Sequence, residues 1–498
     1  MIRVGALAVA CYRIGYSVAD SGGGFVRPKG ATVTAKSEQK GASIHFLRPR
    51  ARRPDTQAIH FAFRIDNYTH IRRAYGPEVA RSALGELNRI LADFFRDDGL
   101  VTPEPDGRLE VLLWNRDLLG RLPLEPACDN WIQSFCAAIA MVPIECDGQR
   151  LHLALSGAWG SADADNLEAS EALASCALRA LDRVRFMGDE PGHGDGWSAR
   201  YRSDMAAAAE LFDAINVAES VNVFSAIEGP DSYASRGNDI SQVALAWQPV
   251  RGVGDATGIL YHECLIRLID GDGNSRTPGN LLVSLERLGL VRALDHFVVS
   301  AVISELEQNP DVTLAANISA QSAQLDGWWW DVEERLSADR SIAQRLVIEI
   351  TETAAIPNIS AAVAFASRMR ALGCMIALDD FGTGFASIRQ LLALKPDIAK
   401  IDRLFVARAG QSRPDRDAFM HLVGLADALV PIVVAEGIEN EEQFTLALEA
   451  GAMWQQGYHH GAPGLTRSWR WSPQSLACAS RNGFGELLVP PSNPRRSS

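Results

Sequence analysis

Polar residues recur at the C-terminal ends of short apolar runs in the second half of this sequence: Glu263, Asn317, Glu349, Asp379, Lys400, Glu436 and Gln456. The run Met375–Leu378 ends on two carboxylates together, Asp379 and Asp380, ahead of a glycine-punctuated turn, Phe381-Gly-Thr-Gly384. Neighbouring side chains on a continuing strand point to opposite faces, so both carboxylates reach one site only if the chain bends there. Left unpaired at the edge of a core, they would be costly. A divalent cation removes that cost, and a pair of cations needs a bridging carboxylate. One acidic strand end has a simpler explanation as a helix N-cap, but that explanation does not extend to the whole set. The donors are carboxylates and one amide, with no His or Cys among them, which favours Mg²⁺, Mn²⁺ or Ca²⁺ over zinc. Two such ions about 3.5–4 Å apart suit in-line attack on a phosphodiester.

Lys400 carries weight of its own. The chain has five lysines, at positions 29, 36, 40, 395 and 400, against 43 arginines. A composition this biased would ordinarily supply Arg. A lysine at a strand end suggests a compact ammonium that contacts a water or shifts its pKa, which Arg cannot readily do. Lys395, in Leu394-Lys-Pro-Asp397, reads instead as a surface side chain.

These residues need a frame. Apolar stretches of strand length alternate with helical ones from Val243 onward. The strands are expected over Val243–Val250, Ile259–Leu268, Leu314–Ile318, Leu346–Ile350, Met375–Leu378, Ile398–Ile401, Ile432–Val434 and Gln455–Tyr458. Successive polar strand ends are 54, 32, 30, 21, 36 and 20 residues apart, and most gaps suit one βα unit. Eight strands in roughly 235 residues predict an α/β fold, a TIM-type (β/α) barrel, which carries its chemistry on the face where strands end. Upstream, a strand at Ile59–Ile65, a helix at Val79–Phe95, strands at Leu109–Trp114 and Leu151–Ala158, and a helix at Ala169–Arg185 predict a small α+β domain. A further helix is expected over Ser203–Val217.

The remainder is bounded by composition. At 498 residues and 47% hydrophobic, the chain is long enough for two or three cores. Residues 1–55 hold ten Lys/Arg against three Asp/Glu, a disordered basic arm of +7 that leaves −20 for the body. A body this acidic argues against a partner that is a nucleic acid polymer. The eight cysteines contain no C-x-x-C pair and read as reduced core residues of a cytoplasmic protein. No run of 18 apolar residues predicts a transmembrane helix. Val4–Cys11 is too short, with Ala8 where a larger aliphatic belongs, to be taken for an export signal. Trp328-Trp329-Trp330 is open between an interface patch and partial burial beside a helix, and His459-His460 lacks a third nitrogen ligand. The expected boundaries are 1–55 for the arm, 56–187 for the α+β domain, 188–199 for a linker, 200–475 for the barrel and 476–498 for the tail.

The barrel resembles the EAL domain, the phosphodiesterase that opens cyclic di-GMP to the linear dinucleotide pGpG. The resemblance is carried by Trp247-Gln-Pro249, Glu263-Cys-Leu265 with Arg267, Asn317-Ile-Ser319, Glu349-Ile-Thr-Glu352, Asp379-Asp-Phe-Gly-Thr-Gly384, Lys400-Ile-Asp402, Glu436-Gly-Ile-Glu439 and Gln456-Gly-Tyr458, in family order. It implies one metal held by Glu263, Asn317, Glu349 and Asp379, and a second by Asp379, Asp380 and Glu436, both Mg²⁺ or Mn²⁺. It further implies that Lys400 orients or deprotonates the attacking water, that Glu352 braces the loop from Phe381 to Ser387, that Arg267 meets a phosphate, and that Gln248 and Gln456 line the nucleotide groove. Cys264 departs from the family's Ala, and period-2 geometry points it away from the face of Glu263. Trp247 replaces a Tyr. The upstream domain resembles a GGDEF domain through Ile65-Asp-Asn-Tyr68, Tyr75-Gly76 and the hairpin Pro105-Asp-Gly-Arg-Leu109. Its chemistry is missing: that hairpin stands where Gly-Gly-Asp-Glu-Phe belongs, Arg72 and Arg73 stand where guanine is read, and Arg64 stands where a metal is bound. The resemblance therefore implies a homodimeric cyclic di-GMP phosphodiesterase with a dead cyclase domain in a regulatory or dimerisation role. The rival from another class is a cyclic di-GMP receptor that binds without turnover and acts through protein partners.

Overall fold

A computed structural model of the chain describes residues 57–96, 99–113, 124–163, 177–179, 181, 188–220, 242–253, 258–351, 356–383 and 388–470. The basic arm, the tail, Glu352 and most of the helix expected over Ala169–Arg185 lie outside the described residues. By its contacts the chain divides into two units. One comprises Met1–Ile65, Leu84–Ala138 and Leu155–Val184; the other comprises Asp66–Ala83, Ile139–Ala154 and Arg185–Ser498.

The elements ahead of the barrel are β1 Gln57–Ile65, α1 Tyr68–Tyr75, α2 Pro77–Phe95, β2 Gly99–Pro103, β3 Arg108–Leu113, α3 Leu124–Met141, β4 Ile144–Cys146, β5 Gln149–Leu151, β6 Leu155–Asp163 and α4 Asp195–Ser220. In the first unit, strands β2-β3-β1-β6 form an antiparallel sheet. Alternation along β3 buries Leu109, Val111 and Leu113. Phe61 and Phe63 of β1 pack with Phe95, Trp131 and Phe135, the pair Trp131–Phe135 stacking at 5.3 Å.

Two expectations need correction here. The strand expected over Leu151–Ala158 is two: β5 pairs with β4, and β6 pairs with β1. Asn67 explains the break, because it takes backbone groups that a continuous ladder would use. It donates to His152 O at 3.0 Å and accepts from Ala154 N at 3.1 Å. The helix expected over Ser203–Val217 starts at Asp195. Its first turns read as linker from their Gly and Asp, yet Tyr201 is buried and stacks with Trp197 at 5.2 Å. Helix α3 carried no expectation.

The second unit holds the barrel: β7 Gln242–Gly252, β8 Ile259–Ile269, β9 Ser275–Arg276, α5 Asn280–Leu288, α6 Val291–Gln308, β10 Leu314–Ser319, β11 Leu346–Thr351, α7 Ile359–Leu372, β12 Met375–Phe381, α8 Ile388–Leu394, β13 Ile398–Ile401, α9 Arg403–Ala409, α10 Arg413–Asp427, β14 Ile432–Ala435, α11 Glu441–Glu449 and β15 Trp454–Gln455. The order β10-β11-β12-β13-β14-β15-β7-β8 closes through pairing of β8 with β10. Seven of the expected strands are present with small shifts in bounds, and the eighth, expected over Gln455–Tyr458, is Trp454–Gln455. One feature escaped the sequence: β7 runs antiparallel to both its neighbours. Helices begin on side-chain caps, Asn358, Asp402, Ser412 and Asn440 each accepting from a backbone N–H of the first turn.

One interior layer consists of Val250, Tyr261, Ala315, Val347, Ala377, Ile398 and Val434. Each lies two residues from a polar strand-end residue: Gln248, Glu263, Asn317, Glu349, Asp379, Lys400 and Glu436 in turn. Period 2 therefore stacks the polar set directly on this apolar layer. Cys264 falls on the opposite face of β8, buried beside Arg467 and Glu305.

Helix α4 packs on β7 and α5. Asp204 of α4, 5% exposed, accepts from Ser284 Oγ at 2.9 Å and from Arg287 Nε at 2.8 Å. The β7–β8 hairpin has no crossover helix, and the segment after β15 covers it. Trp247 and Gly464 exchange backbone hydrogen bonds of 2.8 and 3.1 Å. Trp469 packs on Trp247 and His262, and Arg467 meets Glu305 at 2.8 Å with both side chains buried. Arg467→Ala would take the buried cation away from Glu305, whose carboxylate also accepts from Asn309 Nδ2 at 2.9 Å, and breaking such a buried ion pair costs about 3–5 kcal/mol. Urea unfolding should show that loss, with partial recovery in Arg467→Ala/Glu305→Leu. An unchanged urea midpoint would contradict this account of how the hairpin is covered.

Candidate active site

Lys400 is the centre of the site. It is fully buried, and its Nζ lies 2.7 Å from Glu349, 2.7 Å from Glu436, 3.2 Å from Glu263 and 3.3 Å from Asp379. The sheet register explains the convergence. Gln248 pairs with Glu263 across β7–β8, and Asn317 pairs with Glu349 across β10–β11. Asn317 Nδ2 donates to Glu263 Oε1 at 2.7 Å, and Gln456 Nε2 donates to Glu263 Oε2 at 2.5 Å. Gln248 donates to Gly461 O at 3.1 Å and lies 3.4 Å from Gln456.

The two adjacent aspartates do reach one site. Between Leu378, opposite Ala399, and Phe381, opposite Ile401, β12 carries one residue more than β13. This bulge holds Asp380 at φ 54, in the left-handed region that non-glycine residues rarely adopt. As a result, single oxygens of Asp379, Asp380 and Glu436 lie within 4.8 Å of one another, and so do those of Glu263, Glu349 and Asp379. Asp379 belongs to both groups. Glu436 is fixed by a loop that only glycine permits. A Cβ on Gly457, at φ 154, would lie 2.2 Å from Ile438 O, and that close approach allows Ile438 N to donate to Gln456 O at 3.0 Å.

The donor set fits two divalent cations. Asn317 Oδ1 and Glu349 Oε1 are buried oxygens with no hydrogen-bond partner, a costly state that a cation would relieve. The protonation pattern agrees. Burial, with the Glu263 and Asp379 charges opposed by Lys400, raises Glu349 to about 8. Burial, Asp379 and Asp402 raise Asp380 to about 7. Burial and Asp379 lift Glu436 well above the carboxylate range. Glu263 goes the other way, because Lys400, Asn317 and Gln456 together outweigh its burial. Lys400 itself stays protonated far above neutrality, since its carboxylates overcome desolvation.

Arg267 is on the same face of β8 as Glu263, half-buried, and donates to Ile266 O at 2.9 Å. Glu352 is outside the described residues. His460 Nε2 contacts Gln455 Oε1 at 3.1 Å, and His459 contacts Glu441 at 3.5 Å. Trp329 is buried, while Trp328 lies under Arg292 at 5.0 Å. Asp402 had been singled out only as part of a motif. Its carboxylate caps α9 through Leu404 N at 2.8 Å and raises its neighbour Asp380.

Residues 235–463 match the family model described as EAL domain. This stretch of the barrel is similar to the EAL domain family. The chain is 31% identical over 223 residues to "Cyclic di-GMP phosphodiesterase PdeF" of Escherichia coli K12, a match covering 44% of this chain and 30% of that protein. It is 29% identical over 227 residues to "Cyclic di-GMP phosphodiesterase PdeB" of Shewanella oneidensis, covering 45% and 26%. It is 28% identical over 229 residues to "Bifunctional diguanylate cyclase/cyclic di-GMP phosphodiesterase MucR" of Pseudomonas aeruginosa, covering 45% and 33%. A solved structure described as "PaMucR Phosphodiesterase, c-di-GMP complex" aligns at 27% identity and a TM-score of 0.41, over 45% of this chain and 92% of that one. The match spans 30%, 26% and 33% of the three relatives' own lengths. Among the described residues, no helix is long and apolar enough to cross a membrane.

The charge pattern around Lys400 sets a pH dependence. Without metal, the folded state holds protons on Asp380 and Glu349 up to about 7 and 8. The unfolded chain releases them near about 4. Between these limits the folded state binds more protons, so stability falls as pH rises. Cations bind the deprotonated carboxylates, so their stabilisation grows with pH. In EDTA, thermal unfolding temperature should fall from pH 5.5 to 8, and less steeply in Glu349→Gln. The increment added by Mn²⁺ should rise over the same range. An increment that shrinks with pH would refute the metal reading.

Proposed function

We propose that this chain hydrolyses one phosphodiester bond of cyclic di-GMP to give linear pGpG, with Mg²⁺ or Mn²⁺ held at two adjoining positions. The observation that carries the proposal is the pair of carboxylate groups sharing Asp379 around the buried Lys400 ammonium. Glu263, Asn317, Glu349 and Asp379 would hold one ion, and Asp379, Asp380 and Glu436 the other. Bound there, the ions would lower the pKa of the attacking water and neutralise charge developing on the phosphate.

The chain's own residues do the rest. In the metal-free site its carboxylates keep Lys400 protonated; with cations drawing on those carboxylates it would orient the attacking water or take its proton. Glu436, 2.7 Å from Lys400 Nζ, is the second group placed to handle that proton. Arg267 meets a phosphate, with Gln248 and Gln456 lining the groove. Glu352 is assigned to bracing the loop after β12 on motif alone. We place the protein in the cytoplasm, in keeping with the free buried thiols of Cys264 and Cys374. We also infer a homodimer, with the exposed apolar residues Ile388, Leu392, Leu404 and Met420 as candidates for the contact.

Purified protein with cyclic di-GMP and Mg²⁺ should yield pGpG, and binding without product would favour the receptor. Two substitutions should fail differently. Asp379→Asn weakens both metal positions, and added metal should recover only part of the activity. Lys400→Arg should bind cyclic di-GMP in Ca²⁺ normally yet lose about 10²-fold in kcat in Mg²⁺, the scale of a lost proton-handling group. A near-normal kcat in Lys400→Arg would remove Lys400 from the chemistry.

Residues 56–187 form, in this reading, a GGDEF-like domain that makes no cyclic di-GMP and serves regulation or dimerisation. Its cations are turned to the chain itself: Arg64 donates to Leu181 O at 3.3 Å, and Arg73 to Pro191 O and Gly192 O at 2.6 and 3.2 Å. In the Lys400→Arg background, where product would persist, GTP should give no cyclic di-GMP. Detectable synthesis would overturn the assignment.

A further inference from the structure

Asp295, on α6, is a buried carboxylate that none of the roles above uses, at 6% exposure. It accepts from Ser319 N at 2.8 Å and from Ser322 Oγ at 2.6 Å. Ser322 N donates to Ser319 O at 3.0 Å, closing a tight turn at the exit of β10. The same turn is held twice more. Gln321 Nε2 donates to Glu286 O at 3.0 Å, and Trp329 Nε1 donates to Ser322 O at 2.9 Å. Two residues before this turn stands Asn317, with one amide atom on Glu263 and Oδ1 buried without a partner.

The chemistry of Asp295 suits this place. Both donors reach one oxygen, Oδ2, and the carboxylate's charge strengthens both bonds; an Asn oxygen in its place would accept them more weakly and would put an NH₂ where the other carboxylate oxygen stands. Burying a charge in order to hold a turn is costly, and the cost makes sense only where the turn must not drift. Asn317 is the reason it must not. The other donors at its metal position are carboxylates, drawn to a cation by charge. A neutral amide oxygen binds through its dipole alone, and its contribution depends on being aimed.

We propose that Asp295 is a positioning residue for the metal site: it fixes the end of β10 so that Asn317 Oδ1 faces the cation. The inference rests on the metal positions proposed above, but not on what the site hydrolyses. Its test is therefore direct Mn²⁺ binding to the full chain without nucleotide, followed by steady-state kinetics. Asp295→Asn should weaken Mn²⁺ binding by about 10-fold or more, the scale of a lost outer-shell partner. At saturating Mn²⁺ its kcat should stay within about threefold of wild type, with the loss confined to the metal requirement. Ser322→Ala, which leaves the carboxylate in place, should show a smaller loss in the same direction.

The decisive measurement is the coupling. In an Asn317→Ala background, Asp295→Asn should add no further loss of Mn²⁺ affinity, because nothing remains to be aimed. A purely structural role would instead lower the unfolding temperature in both backgrounds and leave Mn²⁺ affinity alone; that result would overturn the proposal. If Asp295→Asn does not fold, Ser322→Ala decides, and wild-type Mn²⁺ affinity there refutes it. A chain that binds Mn²⁺ as described but leaves cyclic di-GMP intact would sink the proposed function and spare this inference.

Discussion

The buried ammonium of Lys400 and the carboxylates around it are the constraint on which the site depends. Glu263, Glu349, Asp379, Asp380 and Glu436 surround one positive charge at the end of a closed barrel. Fully ionised, they leave four negative charges, the charge of two divalent cations. Without cations the protein reduces that excess by keeping protons on Glu349 and Asp380. Lys400 alone cannot balance the group, but it removes enough repulsion for the barrel to close around it. A barrel whose polar layer were apolar would be more stable and would have no use for a metal.

Among the described residues four non-glycine residues stand at positive φ, and one of them belongs to this site. Asp380 sits at positive φ in a bulge, and Gly457 is pressed against the Ile438 backbone. Strain of this kind costs of order 1–3 kcal/mol at each residue and persists only where the surroundings enforce it. At Asp380 it yields something a regular strand cannot, two consecutive carboxylates on one side; Glu436, whose N–H donates to Ile401 O at 3.1 Å, continues the β13–β14 ladder. The regular strands supply the rest by simple alternation.

That division explains what was legible in the sequence. A strand buried on both faces reads as an apolar run, and a polar residue at its end stands out against it. The interior layer two residues away from each polar end is a direct reading of period 2, so Glu263, Asn317, Glu349, Asp379, Lys400 and Glu436 could be gathered before any coordinates. The doubled aspartate announced a bend, though not its form. Strand direction leaves no mark in composition, so the reversal of β7 was invisible. Asn67 hid the break between β5 and β6, because one side chain replaced two ladder hydrogen bonds. Asp295 was hidden for a similar reason. A carboxylate on a helix looks like a solvated residue unless its partners, more than twenty positions away, are known.

The reversal of β7 has a consequence for where the functional unit ends. In a regular βα repeat each strand brings the helix that covers it. The β7–β8 hairpin brings none, so its outer surface must be covered from elsewhere in the sequence. Helix α4 and the segment from Gly464 to Trp469 do this, and both extend beyond residues 235–463. Glu263, which carries the amides of Asn317 and Gln456, lies on that hairpin. The segments that cover the hairpin are tied in turn to α5 and α6, through Asp204 with Arg287 and Arg467 with Glu305, and so are anchored around the strand that carries Glu263. A fragment cut at the edges of the family match would keep every residue proposed to bind metal and lose the packing that sets their spacing.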